Sequence, residues 1–221
     1  MTSHSAEVPG PRRRSVWPWL IAALVVIVLG VVAAVIVPIV THTPQGYSTQ
    51  RPADDDFAST VSADGDDGRT RVLSVFEADG VTPADAGALT PGERLVVRGE
   101  GYDASRGVYV GLCRIPDAVT EKPSPCIGGV PEQSGEPSGD AQGEQQFAAS
   151  NWINDDWAWK LFASRGYDDP AAGTFTAYLE VPVADEVLDC AVERCAIYTR
   201  NDHTAASDRV QDVGVAVRFA G

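Results

Sequence analysis

Positive charge is scarce in this chain, and histidine is scarcer. Lysine and arginine number 17 against 31 aspartate and glutamate residues, giving a formal net charge of −14 over 221 residues. The first forty residues hold Arg12, Arg13 and Arg14 against Glu7, so the rest keeps 14 basic and 30 acidic residues, a net charge of −16. Nucleic-acid binding rests on neutralising phosphates with basic side chains, so a nucleic-acid partner is excluded. An acidic surplus of this kind favours solubility and resists self-association. His203 is the only histidine of the C-terminal domain, and the four cysteines fall as pairs with 12 and 4 intervening residues, Cys113 with Cys126 and Cys190 with Cys195. Only the second pair reaches the edge of the spacing that zinc sites use, so no metal is expected. The chain also lacks a G-x-S-x-G elbow and an internal repeat. In "SADGDDG", the residues Asp64, Gly65, Asp66, Asp67 and Gly68 do not complete the alternate ligands and distal Glu of a calcium loop.

A long apolar run is present. Leu20 to Val37 reads "LIAALVVIVLGVVAAVIV", 18 residues without a polar side chain, and Pro38, Ile39 and Val40 extend it to 21. As a helix, such a run spans about 31 Å, the thickness of a bilayer core. Thirteen of the 18 are Leu, Ile or Val, which favours insertion by roughly 5 kcal/mol. A cleaved signal has a shorter apolar region and an A-x-A-like site, and "VIVPIVTHT" offers none. The run therefore reads as an uncleaved signal anchor over residues 17–40. "RRR" precedes it, so the positive-inside rule places residues 1–16 in the cytoplasm and the rest outside, a single-pass cell-membrane protein. All four cysteines lie beyond the span, where disulfides persist, and four cysteines allow three connectivities.

Residues 41–69 mix Pro, Gly, Ser and Thr with six aspartates, and are expected to form a disordered acidic linker. From residue 70 to 221 the pattern changes to short β-type runs: "TRVLSVFEA", "ERLVVRGEGY", "GVYVGLCRI", "EQQFAAS", "GTFTAYLEV", "RCAIYTRN" and "VGVAVRF". Period-2 alternation is clearest in Val108, Val110 and Leu112 against Tyr109, Gly111 and Cys113. Seven strands with turn signals between them predict an all-β, two-sheet sandwich. A short helix-like stretch falls around "DDWAWKLFASRG". The Gly-, Pro- and acid-rich stretch between Cys126 and Phe147 reads as an exposed insert.

Particular residues carry a resemblance. "LTPGERLVVRGEGYDASRGVYVGLC", Cys126, "GTFTAYLEV" and "LDCAVERCAIYTRNDHTAASDRVQDVGVAVRF" resemble the neocarzinostatin-type immunoglobulin-like domain, over about Arg71 to Gly221. "GVYVGLCRIP", "KPSPCIGG", "SNWINDD" and "TRNDHTAASDRVQD" are more similar still to the version found in actinobacterial membrane-anchored cell-surface proteins, some associated with haem uptake. The resemblance implies a seven-stranded immunoglobulin-like sandwich with Cys113 bonded to Cys126 and Cys190 to Cys195. Closing those two loops stabilises by about 3 and about 2 kcal/mol in the chain-entropy account. The chain departs from the antibiotic-carrying members in its anchor, its acidic insert and Ile115, where a cleft aromatic follows the first cysteine. Enediyne carriage is therefore not expected.

Two stretches hold candidate site residues. In "NDHTAASDRVQD", His203 with Asp202 or Asp208 has the makings of a base oriented by a carboxylate, with Ser207 nearby. Asn201, Asp202, Thr204 and Ser207 are equally the types that fix loops through side-chain to backbone bonds. Arg200 and Arg209 facing Asp202, Asp208 or Asp212 make a polar clasp, and the clasp is the expected reading. In "NWINDDWAWKLF", Trp152, Trp157, Trp159 and Phe162 supply the apolar area and polar edges of a recognition surface. The expectation is a non-enzymatic envelope module without a catalytic residue or cofactor. It presents Trp152, Trp157, Trp159, Tyr198 and His203 to a small apolar ligand, a glycan or an envelope protein. The alternatives are a hydrolase using His203 and a haem binder using His203 or Tyr198.

Overall fold

A computed structural model describes residues 16–53, 55–128 and 146–220. The basic run Arg12 to Arg14 and most of the expected insert, residues 129–145, lie outside them. The chain divides into two units, Met1–Thr41 and His42–Gly221. Within the first, helix α1 runs Trp17–Val40 over 24 residues with proline in its opening turn. Proline suits a helix start because its missing N–H has no intrahelical partner there. Pro38 leaves a donor missing near the other end, and at the helix end Thr41 donates both its backbone N, at 3.0 Å, and its Oγ1, at 2.7 Å, to Val37 O. The helix is long and apolar enough to cross a membrane.

The second unit is a sandwich of two four-stranded antiparallel sheets. Its strands are β1 (Thr60–Asp64), β2 (Thr70–Glu77), β3 (Glu93–Glu100), β4 (Val108–Arg114), β5 (Ser150–Ile153), β6 (Phe175–Val181), β7 (Cys195–Asn201) and β8 (Val213–Val217). One sheet has the order β1-β2-β3-β6 and the other β5-β4-β7-β8. Leu73, Val75, Leu95, Val97, Phe175 and Leu179 of the first sheet bury against Val108, Val110, Leu112, Ile153, Ile197, Val213 and Val215 of the second. The period-2 reading of β4 thus places the right side chains inward. Its other face is also covered, so β4 is buried at six of its seven residues. Both disulfides form, Cys113–Cys126 and Cys190–Cys195.

Among the described residues the sandwich has eight strands where the sequence pattern predicts seven. The extra one, β1, lies inside the segment expected to be a disordered linker, and only Val61 and Ala63 mark it as a strand. It pairs with β2 from Thr60↔Ser74 to Asp64↔Thr70, and pairing with a neighbour, which sequence periodicity does not report, makes it a strand. Upstream, Tyr47 bridges Arg209 and Ser48 bridges Gly65, so ordered backbone begins well before residue 70. Gln50 also pairs with the backbone of Gly214 through both amide atoms, accepting from its N at 3.0 Å and donating to its O at 2.8 Å. Phe57 packs against both apolar clusters of the sandwich. Pro52 is buried and Phe57 half-buried, and their packing with the backbone bonds offsets the strap's ordering entropy without any regular pattern.

A second difference falls at "EQQFAAS". Its described part is a crossing: Ala148 N donates to Tyr178 O at 3.2 Å and Ala148 O accepts from Glu180 N at 3.0 Å, so the chain leans on β6 before β5 starts at Ser150 in the other sheet.

Candidate functional site

The site lies at one end of the β5-β4-β7-β8 sheet, and register assembles it. Tyr109 stands opposite Trp152 on one side and Arg200 on the other, so the three share the outer face. The Arg200 guanidinium carbon sits 5.7 Å from the Tyr109 ring centroid, and its Nη1 donates to Pro123 O at 3.1 Å.

Beyond β7 the chain enters a 3-10 turn, His203–Ala205, with Asp202 as its N-cap. Asp202 is buried and takes four side-chain and backbone donors. Oδ2 accepts from Trp152 Nε1 at 2.9 Å and Asn154 Nδ2 at 2.8 Å. Oδ1 accepts from Thr204 N at 2.8 Å and Thr204 Oγ1 at 2.6 Å. Charge-assisted bonds of this kind are the stronger class, and they tie the 202–212 loop to β5. Gly107, whose O accepts from Asp202 N at 2.9 Å, has to be glycine: a Cβ there would run into Asp202 Oδ2 and Asn154 Nδ2.

His203 is exposed and caps this arrangement with its ring. Nδ1 shares a hydrogen bond with Tyr109 Oη at 3.0 Å. The Trp152 ring lies 5.3 Å away and the Trp159 ring 4.6 Å away, both edge-to-face. Burial, reinforced by the Asp202 charge, pushes the Tyr109 hydroxyl up to about 12, so it keeps its proton across the physiological range. Trp159 is half-buried and comes from a loop closed at its neck, where Asn154 N donates to Arg165 O at 3.0 Å and Arg165 N to Trp152 O at 3.1 Å. The helix-like stretch expected here is realised as successive turns across this loop.

Of the predicted binding residues, the structure therefore joins Trp152, Trp159 and His203 and separates two. Trp157, 62% exposed, projects from the loop. Tyr198 is 2% exposed and packs among Cys113, Cys126, Ala196 and Ala216. Pro52 covers the same place, since a Cβ on Gly214 would meet Tyr198 Cε1 at 2.7 Å and Pro52 Cγ at 2.9 Å. The groove between Tyr109, Tyr198, Arg200 and the Cys113–Cys126 bridge holds about 10 Å³, room for about one water.

The clasp forms in part as expected. Arg209 Nη1 pairs with Asp212 at 2.9 Å, whereas Arg200 takes a carbonyl and a ring as described above. Asp208 faces His42, Nε2 to Oδ2 at 3.3 Å, and accepts from Gln45 N at 3.1 Å. Asp212 is pushed up to about 7 by burial, against the opposing pull of Arg209 and Arg200, and its Oδ1 has no hydrogen-bond partner among the described residues. Asp202 does not orient His203: its oxygens serve Trp152, Asn154 and Thr204. Sequence reasoning missed Asn154, Gly107 and His42, and passed over Tyr109 as a site residue. The outward phase of Tyr109 in an alternating strand was its one available signal. Among the described residues no group of three or more His, Cys, Asp or Glu is arranged to hold a metal.

No protein-family model matches the chain, and no curated protein matches it. Among solved structures the chain is similar to macromomycin, with a TM-score of 0.35 and 16% sequence identity, over 67% of this chain and 99% of that one.

Proposed function

We propose that this chain is a non-enzymatic cell-surface module, anchored by α1 with residues 1–16 in the cytoplasm, that binds a glycan on the Trp159–His203 shelf. The observation that supports the reading is the group in which the Trp152 and Trp159 rings both meet His203 edge-to-face, held by an Asp202 whose oxygens are all committed. An aromatic face beside imidazole and guanidinium donors is what a sugar ring requires, apolar C–H faces stacked and hydroxyls hydrogen-bonded. The neighbouring groove is too small to enclose an apolar guest, which speaks for an open-faced ligand. Hydrolysis has no support in the geometry, because the acid nearest in sequence to His203 serves other donors. Of the two candidate haem ligands Tyr198 is covered, and the Nδ1 of His203 is engaged by Tyr109 Oη.

The test is titration of the full chain with cell-envelope oligosaccharides and with apolar ligands, followed by tryptophan fluorescence. The expected result is saturable binding of a saccharide that Trp159→Ala weakens about tenfold, the loss of one stacking contact of about 1.4 kcal/mol. No response to any saccharide, or binding that Trp159→Ala leaves unchanged, would overturn the reading.

A further inference from the structure

Ahead of β1 the chain runs as a strand from residue 47 to residue 50 and then leaves that line. Tyr47 bridges Arg209 in the parallel sense and Ser48 bridges Gly65 in the antiparallel sense. Thr49 N donates to Asp64 O at 2.8 Å, and Asp64 N donates to Thr49 Oγ1 at 3.1 Å. Gln50 closes the run with its side chain, whose amide pairs with both backbone groups of Gly214 as a residue of a neighbouring strand would. The run thus joins the edges of β1 and β8, each the last strand of its sheet. Past Gln50 the chain turns aside, with Pro52 against Gly214 and Phe57 against Gly87.

Strand parity decides which edge groups are left over. In an antiparallel ladder the N–H and C=O of one residue point to the same side, and successive residues alternate. Gly214 turns its pair away from β7 and onto Gln50, so Ala216 turns its own pair the same way. Asp64 turns its pair away from β2 and onto Thr49, so Ser62 and Thr60 do likewise. Thr60 and Ser62 on one wall, with Gly214 and Ala216 on the other, line a slot of about 320 Å³ that the strap borders, a volume at the lower end of ligand sites. Among the described residues no further strand pairs with either edge.

We infer that this slot binds an extended basic peptide, seated as a strand in line with residues 47–50 and paired with Ala216 on one side and with Ser62 and Thr60 on the other. Donors and acceptors alternating along two edges are satisfied together by extended backbone, the basis of β-strand addition. Two strand residues span about 7 Å, so about three residues of the peptide reach both walls. Small side chains at Ser62, Gly214 and Ala216 let a main chain approach closely. The domain is acidic and favours a partner of positive charge. Arg51 of the lining does not oppose it, since its Nε is taken up by Pro116 O at 3.0 Å, while Asp56 is exposed beside it. The slot shares no residue with the Trp159–His203 shelf, so the two proposals stand or fall separately.

The experiment titrates the full chain, isotope-labelled in detergent micelles, with a pool of acetylated, amidated hexapeptides that alternate lysine with alanine, serine, threonine or valine. The amide signals of Ser62 and Ala216 are expected to move downfield saturably, and their hydrogen exchange to slow. The same pool N-methylated at every second residue loses one row of peptide donors and is expected to bind about tenfold more weakly. Ser62→Pro removes a wall donor at an edge position where proline is tolerated, and is expected to weaken binding about tenfold. Ser62→Ala keeps the backbone donor and is expected to bind like the parent. Where Ser62→Pro does not fold, the N-methylated pool decides alone. No response, changes confined to amides elsewhere, equal binding of the methylated pool, or a folded Ser62→Pro that binds like the parent would each overturn the proposal.

Discussion

Removal of the Asp202 carboxyl should loosen the whole site end of the sandwich. Asp202→Ala strips acceptors from four donors. Two of these hydrogen bonds, from Trp152 Nε1 and Asn154 Nδ2, are buried. Each buried donor left unpaired costs about 1 to 3 kcal/mol, and losing the cap of the 3-10 turn adds about 1 kcal/mol, for a total of about 5 kcal/mol. For a unit of this size each kcal/mol lowers the melting temperature by about 2 to 4 °C, so a fall of about 10 to 20 °C is expected. The assay is thermal unfolding followed by near-ultraviolet circular dichroism, where the Trp152 signal should weaken even below the transition. Asp202→Asn keeps one acceptor oxygen and should fall about halfway between the parent and the alanine variant. A melting temperature for Asp202→Ala within about 2 °C of the parent, less than 1 kcal/mol, would refute the reasoning. The carboxyl would then not be what holds the loop to β5.

Gly107→Ala should produce a similar loss by a different route, because its methyl displaces the Asp202 carboxyl; a second-site Asp202→Ala should then add little more, as a double-mutant cycle would record. Asp212 predicts a pH dependence. Its folded value of about 7 lies above the unfolded value of about 3.9, so between those limits the folded state holds a proton the unfolded state has lost. This group's contribution is complete below about pH 3.9 and disappears as pH rises through about 7, at up to about 1.4 kcal/mol per unit. Denaturation midpoints measured across that window should slope downward with rising pH, and Asp212→Asn should flatten the slope. Replacing both cysteines of a bridge by serine should cost about 3 kcal/mol for Cys113–Cys126 and about 2 kcal/mol for Cys190–Cys195, read from urea unfolding, with the reverse order counting against the chain-entropy account.

Much of the architecture was legible because it depends on local pattern. Alternation along β4 named the inward side chains, and the apolar run named α1. The strap from Tyr47 to Phe57 was not legible, since its composition is that of a linker and its order comes from Gly214, Tyr198 and Arg209, all more than 140 positions away. The same limit applied at the site. Asp202, His203, Trp152 and Trp159 were all named from sequence, and Asp202 was read as a residue that fixes its loop, as its bond from Thr204 N does, but its long-range partners were not legible. Asp202 adjoins His203 in the chain yet bonds to an indole 50 residues distant.

The sequence by itself determined the apolar helix, the acidic surface and the period-2 strands, because these follow from side-chain chemistry repeated over a few residues. Only the tertiary structure decided that Trp159 rests on His203 while Trp157 points away, and that Tyr198 is covered. Those outcomes depend on strand register and on loop closure between residues far apart in the chain, and no local pattern records either.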